Sequence, residues 1–152
     1  MKINTKIRYG LRTLIELGLH EGKEGMLQKE IANNQKLSEK YLDSIVSSLK
    51  ASGLIVNVGG KKSGYMLNRK PSEISIYDVY RTFEPDLSII HCTDKPVTCF
   101  ISRICVANEF WLDLNNMITK HLKKTTLGDI IKKHNKIKHN FEKEALKISH
   151  CK

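Results

Sequence analysis

The sequence predicts a mainly α-helical chain carrying one small β-hairpin, and three observations predict it. Apolar residues recur at three- and four-residue spacing through most of the chain, the mark of one-faced helices. A β-branched run, a glycine- and lysine-rich turn and a second short run follow one another in LIVNVGGKKSGYMLN, residues 54–68. The net charge is +10 over 152 residues, so an anionic partner is expected, nucleic acid or a membrane surface. At 40% hydrophobic content the chain has material for one core with an appended arm.

Taken in order, Ile7, Leu11, Leu14, Ile15 and Gly18 keep helical spacing and predict a first helix over residues 4–20, broken by Gly22 and Gly25. A short second helix is expected from Met26 to Asn33, with Leu27 and Ile31 facing inward. Leu37-Ser38 then supplies an apolar N′ residue and an N-cap for a third helix, Glu39 to Ser52, which Gly53 ends. Its apolar set is Tyr41, Leu42, Ile45, Val46 and Leu49. Three helices followed by a hairpin is the order of a winged helix-turn-helix.

Pro71 closes the hairpin region, and Ser75-x-x-Asp78 reads as a capping box opening a helix from Ile76 to Phe83. A polar loop follows with three of the four cysteines, Cys92, Cys99 and Cys105. From about Arg103, the positions Ala107, Phe110, Trp111, Leu114, Met117, Ile118 and Leu122 keep the helical period for five turns. This is expected to be the longest helix. The elements before it suffice to close a core, so its apolar stripe is expected to be a dimer interface. Thr126-x-x-Asp129 caps one more helix, TLGDIIKKH, and the polar, basic residues beyond it are expected to order only when something holds them. The expected organisation is therefore a winged helix-turn-helix DNA-binding domain (1–70), a short helix with the cysteine loop (71–102), a dimerisation helix with its successor (103–133) and a basic tail (134–152).

Charge follows the same division. Residues 1–70 carry 13 Lys/Arg against 6 Asp/Glu, whereas residues 83–115, around the cysteines, carry two basic and five acidic residues. Residues 120–138 return seven lysines against Asp129 alone. No apolar run reaches membrane-spanning length and the N-terminus has no uninterrupted apolar segment, so a cytoplasmic protein with no membrane role is expected.

The candidate DNA-contacting residues fall in three places. Ser38, Lys40, Tyr41, Asp43 and Ser44 occupy the first turns of the third helix, the part that faces base edges when such a helix enters the major groove. A carboxylate there is repelled by phosphates, and Asp43 makes sense as an acceptor from cytosine N4; the plainer reading is a solvated acid. Lys2, Arg8, Tyr9 and Arg12 belong to the first helix and its approach, and Lys61 and Lys62 to the wing, where cations neutralise phosphates. A charge run is usually a solvated face; the helix-turn-helix order is what turns this one into a candidate surface.

Cys92, Cys99 and Cys105 crowd three thiols into one loop, in the spacing Cys-x6-Cys-x5-Cys. In a reducing compartment such a cluster points to metal binding or redox sensing rather than a structural disulfide. The close cysteine pairs of a zinc site are absent, and an iron–sulfur cluster needs four ligands, or three and an exchangeable one. Thiol oxidation and a metal-free loop stay open beside the cluster. No nucleophile elbow, phosphate-cradling glycine loop or HExxH motif is present, which weighs against an enzyme.

MKINTKIRYGLRTLIELG, LSEKYLDSIVSSLKASGLI, the GYML after the wing, and the three-cysteine loop leading to Trp111 and TTLGDII together resemble one family. It is the IscR/NsrR/CymR group of bacterial transcription regulators, and the resemblance covers residues 1–133. The resemblance implies a homodimeric winged-helix regulator of double-stranded, pseudo-palindromic DNA, with the long helices crossing. It also implies a 2Fe–2S or 4Fe–4S cluster in the loop of many members. Two departures touch the fourth ligand. Asn108 stands where IscR-like members have a histidine, and Arg8 where NsrR-like members have an aspartate. Asp43 matches an acidic position that discriminates between promoter classes in the members that read iron–sulfur status.

Overall fold

The computed structural model describes residues 3–20, 24–59, 64–90 and 104–149, with side chains described as far as residue 143. Among these residues the chain is helical except for one hairpin. Its elements are α1 (Thr5–Leu19), α2 (Gln28–Gln35), α3 (Glu39–Ala51), β1 (Ile55–Val58), β2 (Gly64–Leu67), α4 (Ile76–Phe83), α5 (Val106–Lys124) and α6 (Leu127–Ser149), with a single 3₁₀ turn at Pro71–Glu73.

The helix starts are written in short-range chemistry. Asn4 caps α1 by accepting from the Ile7 amide, Ser38 caps α3 by accepting from Tyr41, and Ser75 and Asp78 form a reciprocal capping box on α4. Gly53 follows α3 at φ +70°, the left-handed conformation that lets the chain leave the helix and enter β1. The strands pair antiparallel, Ile55 opposite Leu67 and Val58 opposite Gly64. Met26 adds a third short rung, its N–H and C=O bonded to Tyr65 at 2.9 and 2.8 Å. That rung needs two glycines. A Cβ on Gly64 would lie 2.8 Å from the Gly25 backbone, and Gly25 itself sits at φ +70°.

One core serves the front of the chain: Leu14 and Leu17 of α1, Ile31 and Ala32 of α2, Leu42, Ile45, Val46 and Leu49 of α3, Leu54 and Ile55 at the hairpin. Ile74, Val79 and Leu127 close it from the far side. A smaller cluster of Ile7, Tyr80 and Leu87 receives Ile118 and Leu122 from α5. None of the residues of α5 is fully buried in the single chain, and Phe110 and Met117 are 60% and 61% exposed.

Three expectations are corrected. The second helix starts at Gln28 rather than Met26; Met26 is in the rung to Tyr65, and Leu27 is exposed at the helix start, its N–H bonded to Glu30. The longest described helix is α6, with 23 residues against 19 in α5. It also runs on past His134, where the expected helix TLGDIIKKH ends, as far as Ser149. Thr126 and Asp129 cap it, no Gly or Pro interrupts it after Gly128, and Ile130, His134, Ile137 and Phe141 keep the helical period.

Candidate nucleic-acid interface

The candidate surface is built around a tight turn. α2 ends at Gln35, Lys36 takes a left-handed conformation at φ 54°, and Leu37 donates back to Ala32 at 2.9 Å. Two residues after Lys36, Ser38 opens α3. The turn thus aims the N-terminal end of α3 outward while Leu42, Ile45, Val46 and Leu49 hold its opposite face in the core. Ser38, Lys40 and Asp43 are exposed on that end, and Tyr41 and Ser44 are half-buried. The Ser44 hydroxyl donates to the Tyr41 carbonyl at 2.9 Å, a bond within the helix itself.

The basic turns of α1 lie beside this end. Tyr9 meets Tyr41 edge-on, with ring centroids 6.0 Å apart, and the Arg12 guanidinium lies 5.2 Å above the Tyr9 ring. Arg8 and Arg12 are both exposed. Tyr41 therefore does two things, packing against the core and tying α1 to α3. Lys2, Lys61 and Lys62 lie outside the described residues.

One residue of this surface escaped the sequence reading. Gln28, the first residue of α2, donates to the Glu39 carbonyl at 3.3 Å and faces the Asp43 carboxylate at 3.5 Å, at the long limit of a hydrogen bond. Its own carbonyl accepts from the Tyr65 hydroxyl at 3.4 Å. Helix α2, the start of α3 and the root of the hairpin thus meet on one amide. No local motif marks such a residue, because all its partners are distant in sequence.

Of the three loop cysteines, Cys92 and Cys99 lie outside the described residues. Cys105 is half-buried at the N-cap of α5 and its carbonyl accepts from the Asn108 amide at 3.0 Å. The Asn108 side-chain oxygen is buried without a hydrogen-bond partner among the described residues, which hold no group of three His, Cys, Asp or Glu placed to bind a metal ion. Those residues offer one thiol and one neutral amide, not a complete ligand set.

Comparison with known proteins decides the family. The model of Rrf2, described as an iron-dependent transcriptional regulator, matches residues 3–133. The chain belongs to the Rrf2 family. The HTH-type transcriptional regulator CymR of Bacillus subtilis (strain 168) is 35% identical over 130 residues, covering 86% of this chain and 89% of that relative. The solved structure of CymR (YrzC), the global cysteine regulator of B. subtilis, superposes with a TM-score of 0.73 at 32% identity, covering 87% of this chain and 97% of the other. That of T. potens IscR gives 0.70 at 30% identity, covering 88% of each. This Rrf2-family chain is thus a transcriptional regulator with a winged-helix fold, and its relatives are regulators rather than enzymes. DNA binding is implied by the family, and no described helix is long and apolar enough to cross a membrane.

Proposed function

We propose that the chain is a homodimeric, sequence-specific DNA-binding regulator whose affinity is set by an iron–sulfur cluster or the redox state of the Cys92/Cys99/Cys105 loop. The observation that carries the DNA half is the α2–turn–α3 unit, which presents Ser38, Lys40 and Asp43 outward beside Arg8, Tyr9 and Arg12. The roles follow from chemistry. Arg8, Arg12, Lys2, Lys61 and Lys62 neutralise phosphates, while Lys40, Asp43 and Ser44 face base edges. Gln28 stands beside Asp43 at the long limit of a hydrogen bond and so favours the orientation in which the other carboxylate oxygen faces a base.

The dimer half rests on the open face of α5. Phe110, Asp113, Leu114, Asn116, Met117 and Lys120 line a groove of about 520 Å³ that no other described residue lines. A second copy crossing there places two α3 helices on one duplex, about 34–36 Å or a multiple apart, on a pseudo-palindrome. The loop at the head of α5 then acts on the angle between the heads.

For the loop itself, Cys92, Cys99 and Cys105 would fill three of the four ligand positions a cluster needs, with no strong protein donor assigned to the fourth. A bound cluster would supply electron-transfer and ligand-exchange chemistry. Cys92, Cys99 and Cys105 would hold it, and Asn108 is too weak a donor to complete it. A metal-free reading has its own support: the amide at position 108 and the likeness to a regulator described by its role in cysteine control. There the same thiols switch by oxidation, or a partner protein or metabolite acts.

The test combines DNA selection with salt titration. Full-length protein should select a two-fold symmetric site and lose affinity steeply with salt; salt-independent binding would contradict the phosphate contacts. Asp43→Ala should change which sequence is selected while leaving bulk affinity nearly unchanged. Anaerobic preparation with iron and sulfide supplied separates the loop readings, brown protein marking a cluster and colourless protein removing it.

A further inference from the structure

Beside the candidate reading surface lies a second concavity, which shares Arg12 with the proposed DNA contacts. α1, the end of α2 and α6 enclose a cleft of about 380 Å³, lined by Arg12, Ile15, Glu16, Leu19, Gln35 and His134. Its volume falls in the range of small-molecule sites, about 300–1,000 Å³. Ile15 and Leu19 stand one turn apart on α1 and give it an apolar wall, bracketed by Arg12 and Glu16 on the same helix.

Its polar groups divide into acceptors and donors. Glu16 accepts from the side-chain amides of Asn34 and Gln35, which fixes the carboxylate against α2. With its amide nitrogen so engaged, Gln35 leaves its carbonyl oxygen buried and without a hydrogen-bond partner among the described residues. A buried acceptor of this kind is costly until a donor reaches it. Opposite in character are Arg12, which makes no ion pair among the described residues, and the exposed His134. His134 is the first residue beyond the family match, so part of the lining comes from the segment outside the shared fold.

We propose that this cleft is an effector site for a small zwitterion with an aliphatic body, the class of free aliphatic α-amino acids. The ammonium donates to the Glu16 carboxylate and, once the Gln35 side chain turns to expose its buried oxygen, to that carbonyl; the carboxylate is met by Arg12 and His134, and the aliphatic chain lies on Ile15 and Leu19. Occupancy reaches the reading helix by two short routes. Arg12 lies on Tyr9, which meets Tyr41 of α3, and Gln35 directly precedes the Lys36 turn that aims α3. Drawing Arg12 toward a bound carboxylate takes a cation from the DNA side, so the ligand weakens DNA binding. That second half rests on the proposed reading of α3; binding itself does not.

The experiment uses full-length protein without DNA, titrated calorimetrically with individual L-amino acids and with the N-acetyl and carboxamide forms of each. An aliphatic amino acid should bind and both blocked forms should fail, since each removes one charge. Gln35→Met deletes the unpartnered carbonyl at nearly constant shape and should weaken binding about tenfold or more; Leu19→Trp, which fills the cleft, should abolish it. If no amino acid binds, or blocked forms bind equally well, the zwitterion site is overturned. A second arm measures operator affinity with and without the ligand. Wild-type affinity should fall, and Leu19→Trp protein should bind DNA and ignore the ligand. Ligand binding with unchanged DNA affinity overturns the coupling and leaves the site, whereas absence of any DNA binding refutes the proposed reading of α3 instead.

Discussion

Helices α3 and α5 carry similar apolar patterns and end in opposite circumstances. α3 sets Leu42, Ile45, Val46 and Leu49 into a closed core, while α5, six residues longer, has no fully buried residue in the single chain. The difference comes from what surrounds each helix. α3 is covered by α1, α2, the hairpin and α4, whereas α5 packs mainly on α4, with Ile118 and Leu122 against the Ile7, Tyr80 and Leu87 cluster. Its other flank, Phe110, Leu114 and Met117, spaced four and three residues apart, lines an open groove. Periodicity thus states that a helix has an apolar face; it does not state that the same chain covers it.

The sharpest way to break the comparison is to charge the uncovered face. Replacing both Phe110 and Met117 with Glu should leave the reading head folded, because neither side chain belongs to its core. It should halve the molecular mass in light scattering and cost about 10²–10⁴-fold in affinity for a two-half-site operator, the loss expected when avidity disappears. A variant that stays dimeric would place the interface elsewhere.

The opposite experiment empties the covered face. Leu42 is completely buried, so Leu42→Ala should destabilise the head by about 2–5 kcal/mol in denaturant titration. DNA binding should fail with it, at temperatures where the charged α5 variant still melts cooperatively. Next in size is Ser38→Ala, which removes the acceptor for the Tyr41 amide at 3.2 Å and should cost about 1 kcal/mol. The loss concentrates in the first turn of α3, so amide exchange there should accelerate more than at Leu49.

Much of this architecture was legible because it is local. Ser38, Gly53, Ser75 with Asp78, and Thr126 with Asp129 act on amides within a turn of themselves, and α4 runs over the same residues that its capping box predicts. What escaped is long-range or compositional. The Met26–Tyr65 rung joins residues 39 apart, and it takes Met26 out of the second helix. Gln28 draws its role from Glu39, Asp43 and Tyr65 together. In α6 a lysine-rich sequence concealed an uninterrupted helical period that a count of polar residues does not see. The cap and the turn that place the candidate surface act locally, while the cleft at Gln35 depends on three helices meeting and leaves no mark in any one of them.

The smallest effect expected is confined to the start of α6, and it separates that helix from α3 by pH. Asp129 accepts from the backbone and hydroxyl of Thr126, at 3.0 and 2.8 Å, and these hydrogen bonds, with Lys132 and Lys133 nearby, hold its carboxyl below the ordinary value of 3.8. A carboxyl lowered on folding stabilises only while ionised. Its contribution is therefore complete above that ordinary value and is lost as the pH falls below it through the lower folded-state value. Asp129→Asn keeps an acceptor for Thr126 but has no titration, so the pH dependence of amide protection at the start of α6 should vanish below pH 4. The first turn of α3 has Ser38 as its cap, which does not titrate, and should show no matching change in the same samples. An equal response in both helices would mean that acid unfolds the chain as one body, through the contacts that tie Leu127 to the core.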